Sequence, residues 1–435
     1  MKNLLILFIV LFQFTLSAQS TLNMQQLGDF DWTTDEWSDI WGYVDEDGNE
    51  YAITGTEDSI YFIDVTECSN PVLKFRHNSY TQIWRDFKVY EDYAYAVCDG
   101  GGCVDGLRIY DMTALPAGNV TYVSGITTWF TRAHNIYVDE SSDRLYACDV
   151  FQPGIGKTDI VILDISIPTS PSLLYKGALG SGYLHDLNVK NDTIWGSYFL
   201  GDELRVFDAT DPTNITLIEA VSGMDGAHAH WNDAEQEWGY LIEEKANHTI
   251  NVIDLANLND PNNDMSITGQ IWDPLGTGSG LIAHNLFVLN DYLYMSHYED
   301  GVKIYDISTR NNPVVAAYND IYPENGNTYS GFEGTWGIYP FLPSGCILAT
   351  DITHGLNTMQ MDWTIADTCT PIIDITSTVI PGLYSASNHL TSSVMNSPFA
   401  GTIFQAEMSV NLEIGFESRA GFEFEAKIAP CVSNN

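Results

Sequence analysis

Four short stretches place a histidine at the same point ahead of an apolar run: Ala133-His134-Asn-Ile-Tyr-Val, Leu184-His185-Asp-Leu-Asn-Val, Ala227-His228-Ala-His230-Trp and Ala283-His284-Asn-Leu-Phe-Val. Scattered surface histidines would rarely put four of the chain's ten on one repeated position. Neutral imidazole is a common ligand for zinc, copper, iron and manganese. Three or four such rings meeting at one place could hold a divalent metal with a coordination position left open for water or substrate. The equivalent positions elsewhere are Arg85, Trp336 and, by matching Trp41-Gly-Tyr to Trp336-Gly, Trp41. An arginine suits a carboxylate or phosphate, and tryptophans stack on sugar rings. Asp86, Asp186 and His230 are candidates to orient the imidazoles. The bland reading stands beside this one: a repeat copies residues by duplication, and a polar ring can bond neighbouring backbone or hold ordered water.

The elements that must bring these residues together are legible as a repeat. A short apolar strand ending in Asp recurs as Ile60-Tyr-Phe-Ile-Asp64, Leu107-Arg-Ile-Tyr-Asp111, Ile160-Val-Ile-Leu-Asp164, Leu204-Arg-Val-Phe-Asp208, Ile250-Asn-Val-Ile-Asp254 and Val302-Lys-Ile-Tyr-Asp306, with a weaker seventh copy at 355–362. The six aspartates are 47, 53, 44, 46 and 52 residues apart, and four-stranded propeller blades repeat at about 40–50 residues. The runs are rich in Val, Ile, Tyr and Thr and bounded by Asp, Gly and Pro, which reads as strands. Each closing Asp is placed to accept a hydrogen bond from the backbone N–H two residues on. These features predict an all-β chain: a seven-bladed propeller over residues 19–365, then a small solenoid-like β module over 366–435. Blade seven lacks an outer strand of its own, and the segment around Thr21–Gly28 is the expected replacement, fastening the ring and removing an open sheet edge. In that ring the first strand of each blade lines a central channel, so the four histidines, Arg85, Trp41 and Trp336 are expected at one of its ends.

The runs Ile160-Val-Ile-Leu-Asp-Ile-Ser-Ile-Pro, Leu204-Arg-Val-Phe-Asp-Ala-Thr-Asp-Pro and Ile60-Tyr-Phe-Ile-Asp-Val resemble the LVIVD repeat. Together with Trp37-Ser-Asp-Ile-Trp-Gly-Tyr-Val-Asp, they resemble the choice-of-anchor B family of exported bacterial proteins. That resemblance implies a propeller and a secreted or cell-surface life, and it implies no reaction. The closing stretch, with Val410-Asn-Leu-Glu-Ile-Gly-Phe and Ala420-Gly-Phe-Glu-Phe-Glu-Ala, is similar to three-coathanger-stack modules, although Ile414 stands where that text usually has Pro. It implies a display or spacing module.

Residues 1–18 read as a signal peptide, with Lys2, an apolar core from Leu4 to Phe14 and a small-residue exit at Leu16-Ser-Ala18. No later apolar run is long enough to span a bilayer. A formal net charge of −41 argues against nucleic acid and anionic membranes as partners. Seven cysteines in an exported chain suggest disulfides with one thiol left over. Cys98 and Cys103 flank a glycine-rich loop and are expected to pair; Cys369 and Cys431 bracket the last module and could staple it; Cys68, Cys148 and Cys346 stay unassigned. The acidic run at Asp45–Glu50 reads as a hairpin turn more readily than a calcium loop. No nucleophile elbow, P-loop or dinucleotide fingerprint is present. The functional expectation is an extracellular binding or scaffolding protein whose protein, glycan or small anionic ligand meets the His-ringed channel mouth. The alternative is a metal-assisted hydrolase or lyase acting on extracellular polysaccharide or protein.

Overall fold

The computed structural model describes residues 21–362, apart from 248–249, 257, 259–264, 272–279, 323 and 325–330, and beyond 362 the backbone of six strands. The described residues contain no α-helix. Seven antiparallel four-stranded sheets succeed one another as blades one to seven: residues 37–78, 85–126, 135–177, 184–222, 227–271, 286–319 and 335–361, the last completed by the N-terminal strand Met24–Phe30. The ring closes, with the innermost strand of blade seven, Thr335–Tyr339, packed against that of blade one, Trp37–Val44.

The repeated apolar text follows from this geometry. A blade packs on both faces against neighbours, so its middle strands are apolar without alternation, as in other sheets covered on both sides. Ile160, Val161, Ile162 and Leu163 are all fully buried. Successive side chains feed two different clusters: Val161 and Leu163 join Tyr95 and Leu107 of blade two, while Ile160 and Ile162 join Leu187 and Ile194 of blade four. Each such burial contributes about 1.5–3 kcal/mol. The closing aspartates do what their position predicts. Asp64, Asp111, Asp164, Asp208, Asp254 and Asp306 each accept from the backbone N–H two residues on, at 3.1, 2.9, 2.9, 2.9, 3.0 and 2.8 Å. A second set of aspartates, in the hairpin turns, ties blades together. Tyr43 donates to Asp92 (2.7 Å), Tyr90 to Asp143 (2.5 Å) and Tyr146 to Asp192 (3.0 Å), each reaching from one blade into the next.

The N-terminus closes the ring in two steps. Thr21–Leu22 adds a fifth strand to blade six against Asn319 and Tyr318, and Met24–Phe30 then becomes the outer strand of blade seven, against Leu356–Met361. A disulfide between Cys68 and Cys346, 278 residues apart, clasps blade one to blade seven across the same seam. Cys98 and Cys103 are joined in a second disulfide, and Cys148 is a buried free thiol. Past residue 370 the strands pair in parallel and alternate between two sheets. One holds Ile372–Ile375, His389–Ser392 and Ser409–Leu412, and the other Gly382–Ala386, Thr402–Ala406 and Phe424–Ile428, an arrangement of stacked coils. The expected leader at 1–18 and the expected Cys369–Cys431 staple lie outside the described residues.

Candidate functional site

The innermost strands begin at one rim of the channel, and there the sheet pairing is irregular. In blade four Leu184 pairs with Tyr198 and Asp186 with Ser197, so His185 is skipped; in blade five His228 is skipped the same way, and in blade seven Trp336. A bulge of this kind turns the extra side chain out of the normal alternation. His134 and His284 sit just ahead of their strands, held through their backbone N–H groups by Cys148 and Ser296 carbonyls at 3.1 and 3.0 Å.

The result is a curved row of imidazoles. Ring centroids are 4.3 Å apart for His134 and His185, 4.4 Å for His185 and His228, and 4.7 Å for His228 and His284, and Trp336 continues the row 4.9 Å from His284. They line a cavity of about 380 Å³ walled by Trp84, Phe332, Ile83 and Ile352, with Glu36 and Glu333 among its remaining lining residues. No lysine or arginine is among the described residues lining it.

Three groups that the sequence reading did not single out complete the site. Glu244 reaches in from blade five: its Oε2 lies 3.4 Å from His228 Nε2 and its Oε1 4.0 Å from His284 Nε2. The Tyr298 hydroxyl donates to Glu244 Oε1 at 2.6 Å. Asp99 Oδ2 accepts from His134 Nδ1 at 3.2 Å. Glu244, Asp99 and Tyr298 share an origin, since each lies one or two residues past the end of its blade's second strand (Trp238–Glu243, Tyr93–Cys98 and Tyr292–Ser296). The second strand runs antiparallel to the first, so it ends at the rim where the first begins.

Hydrogen bonding fixes two tautomers. A carboxylate and a carbonyl only accept, so His134 carries its proton on Nδ1 toward Asp99, and His284 carries its proton on Nδ1 toward the Trp336 carbonyl, 2.8 Å away. The Nε2 lone pair of His284 is thereby left on the side of Glu244. The buried Nδ1 atoms of His185 and His228 make no hydrogen bond within the protein. Burial, reinforced by the neighbouring imidazoles, pushes the His185 pKa well below the usual histidine range and those of His228 and His284 down to about 3. His134 behaves oppositely. Burial disfavours its charge, yet the hydrogen bond and charge of Asp99, helped by Asp149 and Asp186, raise its pKa. His185, His228 and Glu244 offer ligand atoms that all lie within 4.8 Å of one another, which makes them the residues placed to hold a metal ion.

Trp41 and Arg85 are not part of this cavity. In blade one the pairing jumps from Trp37–Thr56 to Ile40–Thr54, so a bulge spans Ser38 and Asp39, and the position equivalent to the histidines is Ser38. Matching Trp41-Gly to Trp336-Gly shifted the alignment by three residues. Trp41 instead packs toward the opposite end of the channel, against Tyr339 and beneath the Lys88 ammonium, 4.2 Å from its ring. Arg85 does occupy the equivalent position, but its guanidinium is consumed by the carbonyls of Thr56, Glu57 and Tyr80 and the hydroxyl of Ser79, at 2.5–2.8 Å. Buried and bonded on every side, it braces blade two against blade one and presents no charge to an anion. Asp86 accepts from Phe87, Lys88 and, in blade three, Ile136, and orients no imidazole. Asp186 accepts from the Leu187 N–H. His230 is a core residue stacked on Trp195 at 5.3 Å. Asp45 spends its oxygens on Asp47, Asn49 and Tyr51, which closes a hairpin turn.

Residues 154–176, which cover the third strand of blade three, the turn that follows and most of the fourth strand, match the LVIVD repeat. The match and the seven-sheet ring together fit an LVIVD-type propeller. No curated protein matches the chain in sequence. Among solved structures, the chain is similar to a protein from Lactobacillus plantarum, with a TM-score of 0.51 at 12% identity over 77% of this chain and 89% of that one. It is also similar to a functionally unknown protein from Desulfotomaculum acetoxidans, with a TM-score of 0.50 at 13% identity over 70% of this chain and 92% of that one. At these identities the likeness is one of fold, and fold does not specify function.

Proposed function

We propose that this LVIVD-type propeller is an exported binding protein whose ligand, a neutral saccharide, enters the His-lined mouth of the channel. The observation that carries the reading is a cavity of sugar size in which neutral nitrogens with unspent hydrogen-bonding capacity sit between apolar aromatic walls and no lysine or arginine side chain lines it. At about 380 Å³ it falls within the range of small-ligand sites. Trp84 and Phe332 are 46% and 55% exposed, leaving ring faces for stacking on the apolar side of a pyranose. Imidazole nitrogens, Glu244 and Tyr298 supply donors and acceptors for hydroxyls. With Arg85 consumed, an anionic ligand has no cationic partner from lysine or arginine here, and Glu36, Glu244, Glu333 and a net charge of −41 oppose it. The leader-like residues 1–18 and the resemblance to choice-of-anchor B proteins support export to an extracellular glycan.

Tryptophan fluorescence titration of the purified protein with neutral and uronic-acid oligosaccharides tests this. Saturable quenching by a neutral oligosaccharide, abolished when His185 and His228 are replaced by Gln, is expected. Binding only to the acidic sugars, or binding unchanged in the double variant, rejects the proposal. A second reading, metal-assisted hydrolysis or elimination, is favoured by the Glu244 carboxylate, hydrogen-bonded by Tyr298 beside two imidazoles, a pairing able to move protons. Incubating the same oligosaccharides and following shorter or unsaturated products separates the two.

A further inference from the structure

We infer that His185, His228 and Glu244 form a divalent transition-metal site, with His284 positioned as a further nitrogen ligand. Three observations converge. First, the three side chains come from two adjacent blades and direct their ligand atoms to one point, all within 4.8 Å of one another. The 3.4 Å between His228 Nε2 and Glu244 Oε2 already matches two ligands of one ion, since bonds of about 2.0–2.2 Å at tetrahedral angles put neighbouring donors about 3.3 Å apart. Secondly, Glu244 and His284 have the partners that metal ligands take. Tyr298 donates to the other oxygen of Glu244, turning Oε2 toward His228, and the Trp336 carbonyl holds the His284 proton on Nδ1 so that its lone pair is on Nε2. Thirdly, His185 and His228 are nine-tenths buried or more, and each has an Nδ1 with no hydrogen bond in the protein. For His228 the nitrogen that faces the carboxylate is Nε2, so a cation there takes the Nε2 lone pair and leaves Nδ1 to carry the ring proton.

The donor set names the metal class. Two or three imidazoles with one carboxylate suit zinc, iron(II), manganese or nickel, whereas calcium and magnesium prefer all-oxygen sets. His134 is not among the ligand atoms that lie within 4.8 Å of one another; its Nδ1–H is held by Asp99, as that of His284 is by the Trp336 carbonyl, and its ring lies 4.3 Å from that of His185. The site shares its cavity with the proposed saccharide, and the two readings fail separately because zinc can be titrated with no sugar present.

The test is calorimetric titration of the full-length protein, stripped with a chelator, with zinc chloride, and cobalt(II) absorption as a second readout. One equivalent should bind to the unaltered protein. Glu244→Gln, which keeps the side chain's size and whose fold is checked by circular dichroism, should weaken binding at least tenfold. Tyr298→Phe should alter the cobalt spectrum while retaining stoichiometry, as loss of a positioning hydrogen bond would. His354→Gln, on the far side of Asp351 and outside the cavity, should change nothing. No zinc bound by the unaltered protein, or equal affinity in Glu244→Gln, overturns the inference.

Discussion

Three residues beyond the histidines along the innermost strands, Trp41, Lys88, Tyr137, Asn188, Trp231, Phe287 and Tyr339 occupy one repeat position near the opposite end of the channel. Their aromatic rings contact one another around and across the axis: Trp41 with Tyr339 and Phe287 at 5.0 and 6.0 Å, and Trp231 with Phe287 at 4.9 Å, with Phe341 inserted at 5.4 Å from Phe287. A cavity of about 820 Å³ opens outside them, more than twice the volume at the His end. The larger space is the less specific one. Its rings satisfy each other, and the buried lysine that lines it, Lys88, is already bonded to Asp86 at 2.6 Å. At the His end the same repeat leaves nitrogens unspent. What distinguishes a site from a packing solution here is hydrogen-bonding capacity held open against burial, and volume is a poor guide to it.

The contrast can be broken by experiment. Ring closure serves both ends, so Cys68→Ser with Cys346→Ser should weaken both alike. A disulfide spanning 278 residues contributes about 2–5 kcal/mol by restricting the unfolded chain, and the guanidinium unfolding midpoint should fall accordingly. Trp41→Ala should cost about 3 kcal/mol through lost packing and leave saccharide and zinc titrations at the His mouth unchanged. If it weakens ligand binding as much as the His185 and His228 changes do, the two ends are not functionally distinct. Arg85→Met should cost about 2 kcal/mol, because it leaves the Thr56, Glu57 and Tyr80 carbonyls without their buried donor. Ligand affinity should hold. A loss of affinity with stability intact would restore Arg85 as a ligand residue.

The blades, their order and the N-terminal closure were legible because each rests on local chemistry that repeats: an apolar strand, an Asp that bonds two residues on, a turn. The four histidines were legible for the same reason. Trp41 was misplaced because a bulge changes register without changing composition, and nothing in Trp37-Ser-Asp-Ile-Trp marks where pairing with Thr54 and Thr56 breaks. Arg85 was correctly positioned but misread, since its acceptors are backbone carbonyls, invisible in side-chain text. Glu244, Asp99 and Tyr298 had a signal that went unused. They recur just past the second strand of their blades, and any residue at that offset must stand at the same rim as the start of the first strand. The Cys68–Cys346 pair joins the two ends of the ring, and only closure of the propeller makes those cysteines neighbours.

The smallest effect separates His134 from its row. His185, His228 and His284 are neutral in the folded protein, with pKa values lowered to about 3 for the latter two, whereas an unfolded histidine titrates near about 6.5. Between those values the unfolded chain binds more protons, so stability falls as pH drops through that window. His134 contributes with opposite sign. Its folded pKa is raised by Asp99, Asp149 and Asp186, so its contribution is fully present below about 6.5 and is lost as pH rises through the folded value. Asp99→Asn keeps a hydrogen-bonding group and removes the charge, which should bring His134 toward the behaviour of its neighbours. The expected signature is a stability loss that is larger at pH 5 than at pH 8, read from urea unfolding at the two values and from the His134 ring proton shifts. An equal loss at both pH values would mean that Asp99 only shapes its loop, through the Gly100 N–H it accepts at 2.7 Å, and leaves the imidazole charge alone.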